Sequence, residues 1–191
     1  MNLPVFPLPI FLLPDGVTRL RIFEPRYLKM VRMATQNQGF VVLLNDQKNK
    51  LFEKNWASWV EIINFDQDQD GLLLIDVKCK ALVKLANITV DEDKLRHADV
   101  STINHWPINE HDDTTEKLAS SLLEVFEQNE PLNAMYQAKF EDKANWVVSR
   151  WLELLPVKLA AKSVFADAKS YEQAKQFVES IVLNEQLKVK S

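Results

Sequence analysis

Residues 73–85 alternate between apolar and polar side chains more regularly than any other segment of the chain. Successive side chains of a β-strand point to opposite faces, so this alternation predicts one long strand with a single dry face. A strand of this length must bend or contain a bulge, and we expect it to supply one wall of a small β-barrel. The dry face comprises Leu73, Ile75, Val77, Cys79, Ala81, Val83 and Leu85, and Leu82 is the exception on the polar face.

A second alternating segment, residues 18–23, runs directly into a helical pattern with no room for a loop. Pro25 suits the first helical turn, because its ring fixes φ near the helical value and its missing N–H would have no partner there. Gly39 can supply the left-handed turn that ends the helix. The apolar stripe of the predicted helix comprises Tyr27, Leu28, Met30, Val31 and Ala34.

Arg26 lies in the first turn of this predicted helix, where a cation interacts unfavourably with the helix dipole. We therefore predict that Glu24 or another nearby carboxylate holds it. In one interpretation the ion pair is structural and fixes the junction between strand and helix. In the other, the guanidinium is presented to a carboxylate of a ligand.

The remaining pattern of the first half of the chain is also β-rich. Residues 3–13 are apolar but contain several prolines, which lack the ladder donor, so we expect short strands at a sheet edge. An extended peptide could add to such an edge by backbone pairing. Residues 66–71 predict a hairpin turn. Further strands are predicted at residues 40–44, 59–65, 88–90 and 98–103.

After Pro107 the apolar period changes from two residues to that of a helix. Asp112 and the two residues after it can cap a helix whose dry face contains Leu118, Leu122, Val125 and Phe126. Further helices are predicted before and after Pro156. The chain is therefore expected to be α+β, with a β-rich unit of one helix at 1–106 and a helical unit at 110–191.

Composition excludes several classes of protein. The 191 residues carry a net charge of −4, which argues against a dedicated nucleic-acid binder, although residues 19–32 hold five basic side chains and one acid. Cys79 is the one cysteine, so no internal disulfide is possible and a reducing compartment fits. No apolar segment is long enough to span a membrane, and the opening run lacks a basic region before it. We expect a cytoplasmic protein.

The sequence does not contain the motifs of common enzymes. Its three glycines are far apart, so there is no phosphate-binding loop, and no serine lies in a nucleophile elbow. His105, His111, Asp112 and Asp113 match no compact metal-ligand spacing. Asp66, Asp68 and Asp70 lack the distal glutamate of a calcium loop. We therefore expect no enzymatic activity, no metal and no cofactor.

Several segments together carry a family resemblance: Leu3-Pro-Val-Phe-Pro-Leu8, Leu13-Pro-Asp-Gly16, Leu20-Arg-Ile-Phe-Glu-Pro-Arg-Tyr-Leu28, Val60-Glu-Ile-Ile-Asn-Phe65 and Trp151-Leu-Glu-Leu-Leu-Pro156. In order and spacing they resemble the N-terminal, substrate-binding domain of Lon proteases. The resemblance implies a PUA-like β-barrel followed by a helical bundle. The sequence departs from the family at Ala57-Ser58 and at Lys80-Ala-Leu-Val83, so ligand roles of the family's residues there are not carried over.

The resemblance implies a non-enzymatic module that binds exposed hydrophobic segments of unfolded polypeptides, with a protease or chaperone as a possible partner. The alternative is an RNA-binding PUA-like protein, since residues 19–32 are basic. An enzyme with a scattered site is a third hypothesis. We expect the peptide to lie along the opening strand, with tryptophans of the helical unit as a second wall. The predicted binding residues are Phe6, Phe11, Arg21, Arg26, Tyr27, Trp146 and Trp151.

Overall fold

A computed structural model describes residues 1–36, 38–46, 51–52 and 56–189 of the chain. Contacts between residues divide the chain into two compact units, Met1–Ile103 and Asn104–Ser191. The first unit is a mixed unit that contains all the described strands and one helix. The second unit is helical. The fold is thus a combination of sheet and helices, as the alternation and the later change of period predict.

The strands of the first unit form one seven-stranded sheet. In chain order, the described elements of this unit are β1 (Asn2–Leu8), β2 (Val17–Ile22), α1 (Pro25–Gln36), β3 (Phe40–Asp46), β4 (Leu51–Phe52), β5 (Ala57–Gln67), β6 (Leu73–Val90) and β7 (Arg96–Thr102). The strand order is β1-β7-β6-β5-β3-β4, and β2 pairs with β6. Because β1 also pairs with β3, the pairings β1-β7-β6-β5-β3 return to their starting strand.

The long strand predicted from the alternation is β6, which pairs with β2, β5 and β7. Its pairing shifts register opposite β5 and again opposite β7, as expected for a strand of this length. One irregularity lies opposite β5, where Trp59 pairs with Ala81. The next residue of β5 pairs with Cys79, so Lys80 has no opposite residue. The extra residue reverses the alternation. The single dry face predicted for this strand is therefore wrong, and Leu82, its exception, is fully buried.

One hydrophobic cluster draws side chains from each of the five strands that form the circuit. Its members alternate along every strand, so they share one face of the sheet. They are Leu3, Val5, Val41, Ala57, Val83, Leu85, Ala98 and Val100, with Leu43 and Trp59 packed against them. The opposite face of the same strands buries other residues, among them Phe40 and Val60.

The prediction that the proline-rich opening segment forms an edge strand is wrong. β1 pairs antiparallel with β7 through residues 2–5 and parallel with β3 through residues 5–8. The two halves of β1 therefore pair with different strands, which lie on opposite sides of it. A strand between two neighbours is compatible with proline only where the missing N–H has no ladder partner.

The register meets that condition at both prolines. The backbones of Met1 and Val100 exchange hydrogen bonds, so the alternation of antiparallel pairs places Pro4 at a non-hydrogen-bonded position toward β7. The backbone nitrogen of Pro4 instead points to the side of β3, whose pairing with β1 begins only at Val5. The backbone nitrogen of Pro7 points to the side of β7, whose pairing with β1 has already ended.

The junction between β2 and α1 forms as predicted. The helix begins at Pro25, and the backbone N–H groups of Tyr27 and Leu28 donate to the carbonyl of Glu24. Gly39, between α1 and β3, has a φ of +93°. A Cβ on this residue would lie 2.0 Å from the carbonyl oxygen of Val60, so the backbones approach too closely for any side chain.

The second unit contains α2 (Asp113–Gln128), α3 (Glu130–Met135), α4 (Ala144–Leu154), α5 (Leu159–Ser163), a 3₁₀ turn (Val164–Ala166) and α6 (Tyr171–Val189). As predicted, Asp112 caps α2, since its carboxylate accepts from the N–H of Thr115. Helix α4 contacts both α2 and α6. The predicted dry face of α2 is buried at Leu118, Leu122 and Phe126.

Candidate functional site

A groove of about 710 Å³ opens on the first unit, around the point where β2 meets α1. The end of β1, the turn between β6 and β7, and Asn45 of β3 form its other walls. Four of the predicted binding residues, Phe6, Arg21, Arg26 and Tyr27, line this groove together. Three of the four belong to the junction of β2 and α1, so they are close in sequence as well as in space.

Aromatic side chains form the apolar part of the groove. The rings of Phe6 and Tyr27 lie 4.0 Å apart and are largely buried, and burial raises the pKa of the Tyr27 phenol. Phe23, in contrast, is 64% exposed. An aromatic ring left in water beside a buried aromatic pair offers apolar surface to a ligand. Phe23 was not among the predicted residues, although its place on the polar face of an alternating strand was a signal for exposure.

Arg26 connects the first turn of α1 to two neighbours. Its Nη2 atom lies 2.7 Å from a carboxylate oxygen of Glu24, which confirms the predicted ion pair, and Nη1 donates to the backbone carbonyl of Lys94 at 3.4 Å. The guanidinium also lies over the ring of Tyr27 at 4.7 Å. These contacts hold Arg26 against the turn between β6 and β7.

Asp91, which belongs to this turn, connects it to α1. Its carboxylate accepts from Lys29 of α1 at 2.9 Å and from the backbone N–H of Leu95. The hydrogen bond from Lys29 is the main reason that the pKa of Asp91 is lowered to about 2. Lys94, within the turn, has a φ of +62°, a left-handed conformation. The turn therefore holds Lys94 and Arg96 at the groove.

The basic segment 19–32 is largely neutralised by carboxylates. Arg19 binds Asp76 through two hydrogen bonds of 2.6 and 2.9 Å, which lower the pKa of that buried carboxyl. Arg21 pairs with Asp68 at 2.6 Å and Asp70 at 2.7 Å, both in the hairpin turn between β5 and β6. Since Arg26 and Lys29 are paired too, the segment is not an open cationic surface, and RNA binding is not favoured.

The structure does not bring the other predicted binding residues to this groove. Phe11 is 4% exposed and packs edge-on against Trp56, with ring centroids 5.9 Å apart. Trp146 and Trp151 are buried among residues of the helical unit, where the indole N–H of Trp151 donates to the carbonyl of Leu118. The expectation that Phe11 and the two tryptophans offer exposed aromatic surface to a peptide is therefore wrong, because these side chains fill cores.

The side chains that line the groove combine apolar surface with charge. Its described lining contains aromatic and aliphatic side chains, three arginines, one lysine, one glutamate and one asparagine, with no serine, cysteine or histidine. No group of three or more potential metal ligands occurs among the described residues. No helix within the described part of the chain has both the length and the apolar character needed to cross a bilayer.

Comparison with known proteins assigns the fold. The sequence matches the family described as ATP-dependent protease La (LON) substrate-binding domain over residues 2–187. A solved structure of a Lon N-terminal domain protein from Xanthomonas campestris is similar, with 27% identity and a TM-score of 0.67, over 93% of this chain and 97% of that chain.

A second solved structure, the N-terminal domain of the Mycobacterium avium complex Lon protease, shares the fold. It has 13% identity and a TM-score of 0.51, over 99% of this chain and 95% of that one. No curated protein sequence matches the chain. Because the family match extends over nearly the whole sequence, the chain belongs to the Lon substrate-binding domain family.

Proposed function

We propose that the chain is a non-enzymatic module that binds exposed hydrophobic segments of unfolded polypeptides, and that the groove beside α1 is its contact surface. Membership of a substrate-binding family supports a binding role. The observation that carries the choice of surface is Phe23, which is 64% exposed at the rim of a groove backed by the Phe6–Tyr27 pair. A protease or chaperone that receives the bound polypeptide belongs to the same proposal.

Side chains, rather than backbone pairing, are expected to hold the bound segment. Pro7 and Pro9 both line the groove, and neither has an N–H to donate to an added strand. The apolar surface of Phe23 and its neighbours would instead be covered by apolar side chains, at a gain of about 25 cal/mol per Å² of surface removed from water. Such contacts tolerate many sequences, as a binder of unfolded chains requires.

We further infer that the circuit of strands is a PUA-like barrel and that the helical unit is a small bundle. In support, five strands pair in a ring, and the shared hydrophobic cluster takes its residues from each of them. The two proposed domains, residues 1–106 and 110–191, lie close to the division between the compact units. This arrangement leaves the groove within the first domain.

The test is the substitution Phe23→Ser, with Phe65→Ser as the matched control. Both phenylalanines are in the first unit and are more than half exposed, but Phe65 does not line the groove. Affinity for a labelled, chemically unfolded polypeptide would be measured by fluorescence anisotropy. We expect Phe23→Ser to weaken binding about tenfold or more, and Phe65→Ser to leave it unchanged.

Unchanged affinity in Phe23→Ser would refute the assignment of the groove. Because both side chains are exposed, neither substitution should unfold the protein, which far-UV circular dichroism would verify. Binding of a segment without acidic side chains should also change little between low and high salt. A steep loss of its binding with added salt would instead indicate that contacts between charged groups dominate.

A further inference from the structure

The groove carries positive charge that the described part of the chain does not neutralise. Among its lining residues, Arg21 and Arg26 have carboxylate partners, whereas Lys94 and Arg96 make no ion pair with any described residue. Both side chains are exposed, and they occur on a protein whose net charge is −4. Two unpaired cations at one groove of an acidic protein favour a ligand that brings negative charge.

Two side chains that line the same groove each hold a buried polar atom without a hydrogen-bond partner in the described part of the chain. One is a donor, Nε of Arg26, and the other is an acceptor, Oδ1 of Asn45. A buried polar atom without a partner carries a cost in free energy, so native proteins keep few of them. Both atoms have almost no accessible surface, so a ligand reaches them only after the two side chains turn toward the groove. A ligand that offers both an anionic oxygen and an N–H group would then satisfy both.

We propose that the groove selects polypeptide segments in which an aspartate or glutamate side chain stands next to an aromatic or large aliphatic one. This inference rests on the proposed function and adds a preference to it. The carboxylate binds between Arg26 Nε and Arg96, with Lys94 adding to the attraction. A backbone N–H of the segment donates to Asn45 Oδ1. The neighbouring apolar side chain covers Phe23.

The occupant is an internal segment of an unfolded chain, not a nucleic acid. The phosphates of a nucleic acid would match the cations of the groove equally well, and a base could stack on Phe23. The match to a substrate-binding domain of a protease family favours the polypeptide. A carboxylate that binds a guanidinium accepts charge-assisted hydrogen bonds, which are stronger than neutral ones. The acidic residue therefore sets the preference, and the apolar residue supplies the contact common to all unfolded chains.

The experiment compares short acetylated and amidated peptides that differ only at the acidic positions. One peptide has aspartates on both sides of a Leu-Phe pair, and the other has asparagines there. Both are titrated into the full chain, into Arg96→Gln and into Lys84→Gln, an exposed cation of the same unit that does not line the groove. We expect the acidic peptide to bind about tenfold more tightly than the neutral one.

Arg96→Gln should markedly reduce that difference, whereas Lys84→Gln should keep it. Equal binding of both peptides, with loss of both in Phe23→Ser, would overturn the preference and leave the proposed function standing. Failure of both peptides to bind would count against the groove itself.

Two further measurements distinguish a peptide segment from other ligands of the groove. If a peptide binds only when its C-terminal carboxylate is free, the groove recognises chain ends and the proposal is wrong. A single-stranded oligonucleotide that displaces the acidic peptide, and loses affinity in Arg96→Gln, would likewise overturn it.

Discussion

Replacing Gly39 by alanine should strongly destabilise the first unit, because this position is constrained in two independent ways. Its φ of +93° belongs to the left-handed region, which costs a residue with a Cβ about 1–2 kcal/mol. The added Cβ would also lie 2.0 Å from the carbonyl oxygen of Val60, a backbone atom of β5. Since β5 pairs on both sides, it cannot withdraw without disturbing the ladder.

The second constraint can be estimated as overpacking, which typically costs about 1–3 kcal/mol. The two together predict that Gly39→Ala lowers the free energy of unfolding by about 2–5 kcal/mol. With a urea dependence of about 2 kcal/mol per M, the unfolding midpoint would fall by about 1–2.5 M. A loss of this size is a large part of the stability of a typical domain.

Gly71→Ala is the matched control, measured in the same urea titrations by far-UV circular dichroism. Gly71 also has a positive φ, +79°, but a Cβ there would lie no closer than 3.5 Å to another group, the side-chain amide of Gln67. It should lose only the backbone contribution of about 1–2 kcal/mol. If the two variants lose the same free energy, the close approach to β5 contributes nothing and the reasoning is refuted.

Two further predictions concern charged groups. Arg26→Ala should lower the free energy of unfolding by about 1 kcal/mol or less, because both side chains of the Arg26–Glu24 pair are about one-third exposed. Thermal unfolding measures this loss, and a larger value would show that the contact with Lys94 dominates. The stability of the helical unit should fall as the pH drops from about 6.5 to 4, because burial lowers the pKa of His105 to about 4 and the unfolded chain takes up the proton first. His105→Gln should flatten this profile in urea titrations at several pH values, and an unaltered profile would contradict the assignment.

Contacts were predictable from the sequence where the two partners lie close together along the chain. Pro25, Glu24 and Arg26 lie within one turn, so local chemistry was sufficient to predict the helix start and the ion pair. Lys94 and Arg96 were missed because they reach the groove only through strand pairing, and an exposed cation carries no local sign of its destination.

The other errors have the same origin. The bulge at Lys80 depends on how β5 pairs with β6, so no alternation within β6 could place it. Aromatic side chains are suited equally to cores and to binding surfaces, and only tertiary packing separates Trp146, which is 4% exposed, from Phe23.

The two partners of β1 have a consequence for how the protein folds. β3 follows β1 after one strand and one helix, but β7 lies at the other end of the unit, so the ring of strands closes only through contacts between distant parts of the chain. Such non-local pairings slow folding, because the loop entropy is lost before the contacts form. Until closure, β3 and β7 both expose unpaired edges beside apolar side chains, the condition under which chains aggregate. Closure of the ring is therefore expected to be the late, rate-limiting event, and Pro4 and Pro7 make β1 a poor template for wrong partners in the meantime.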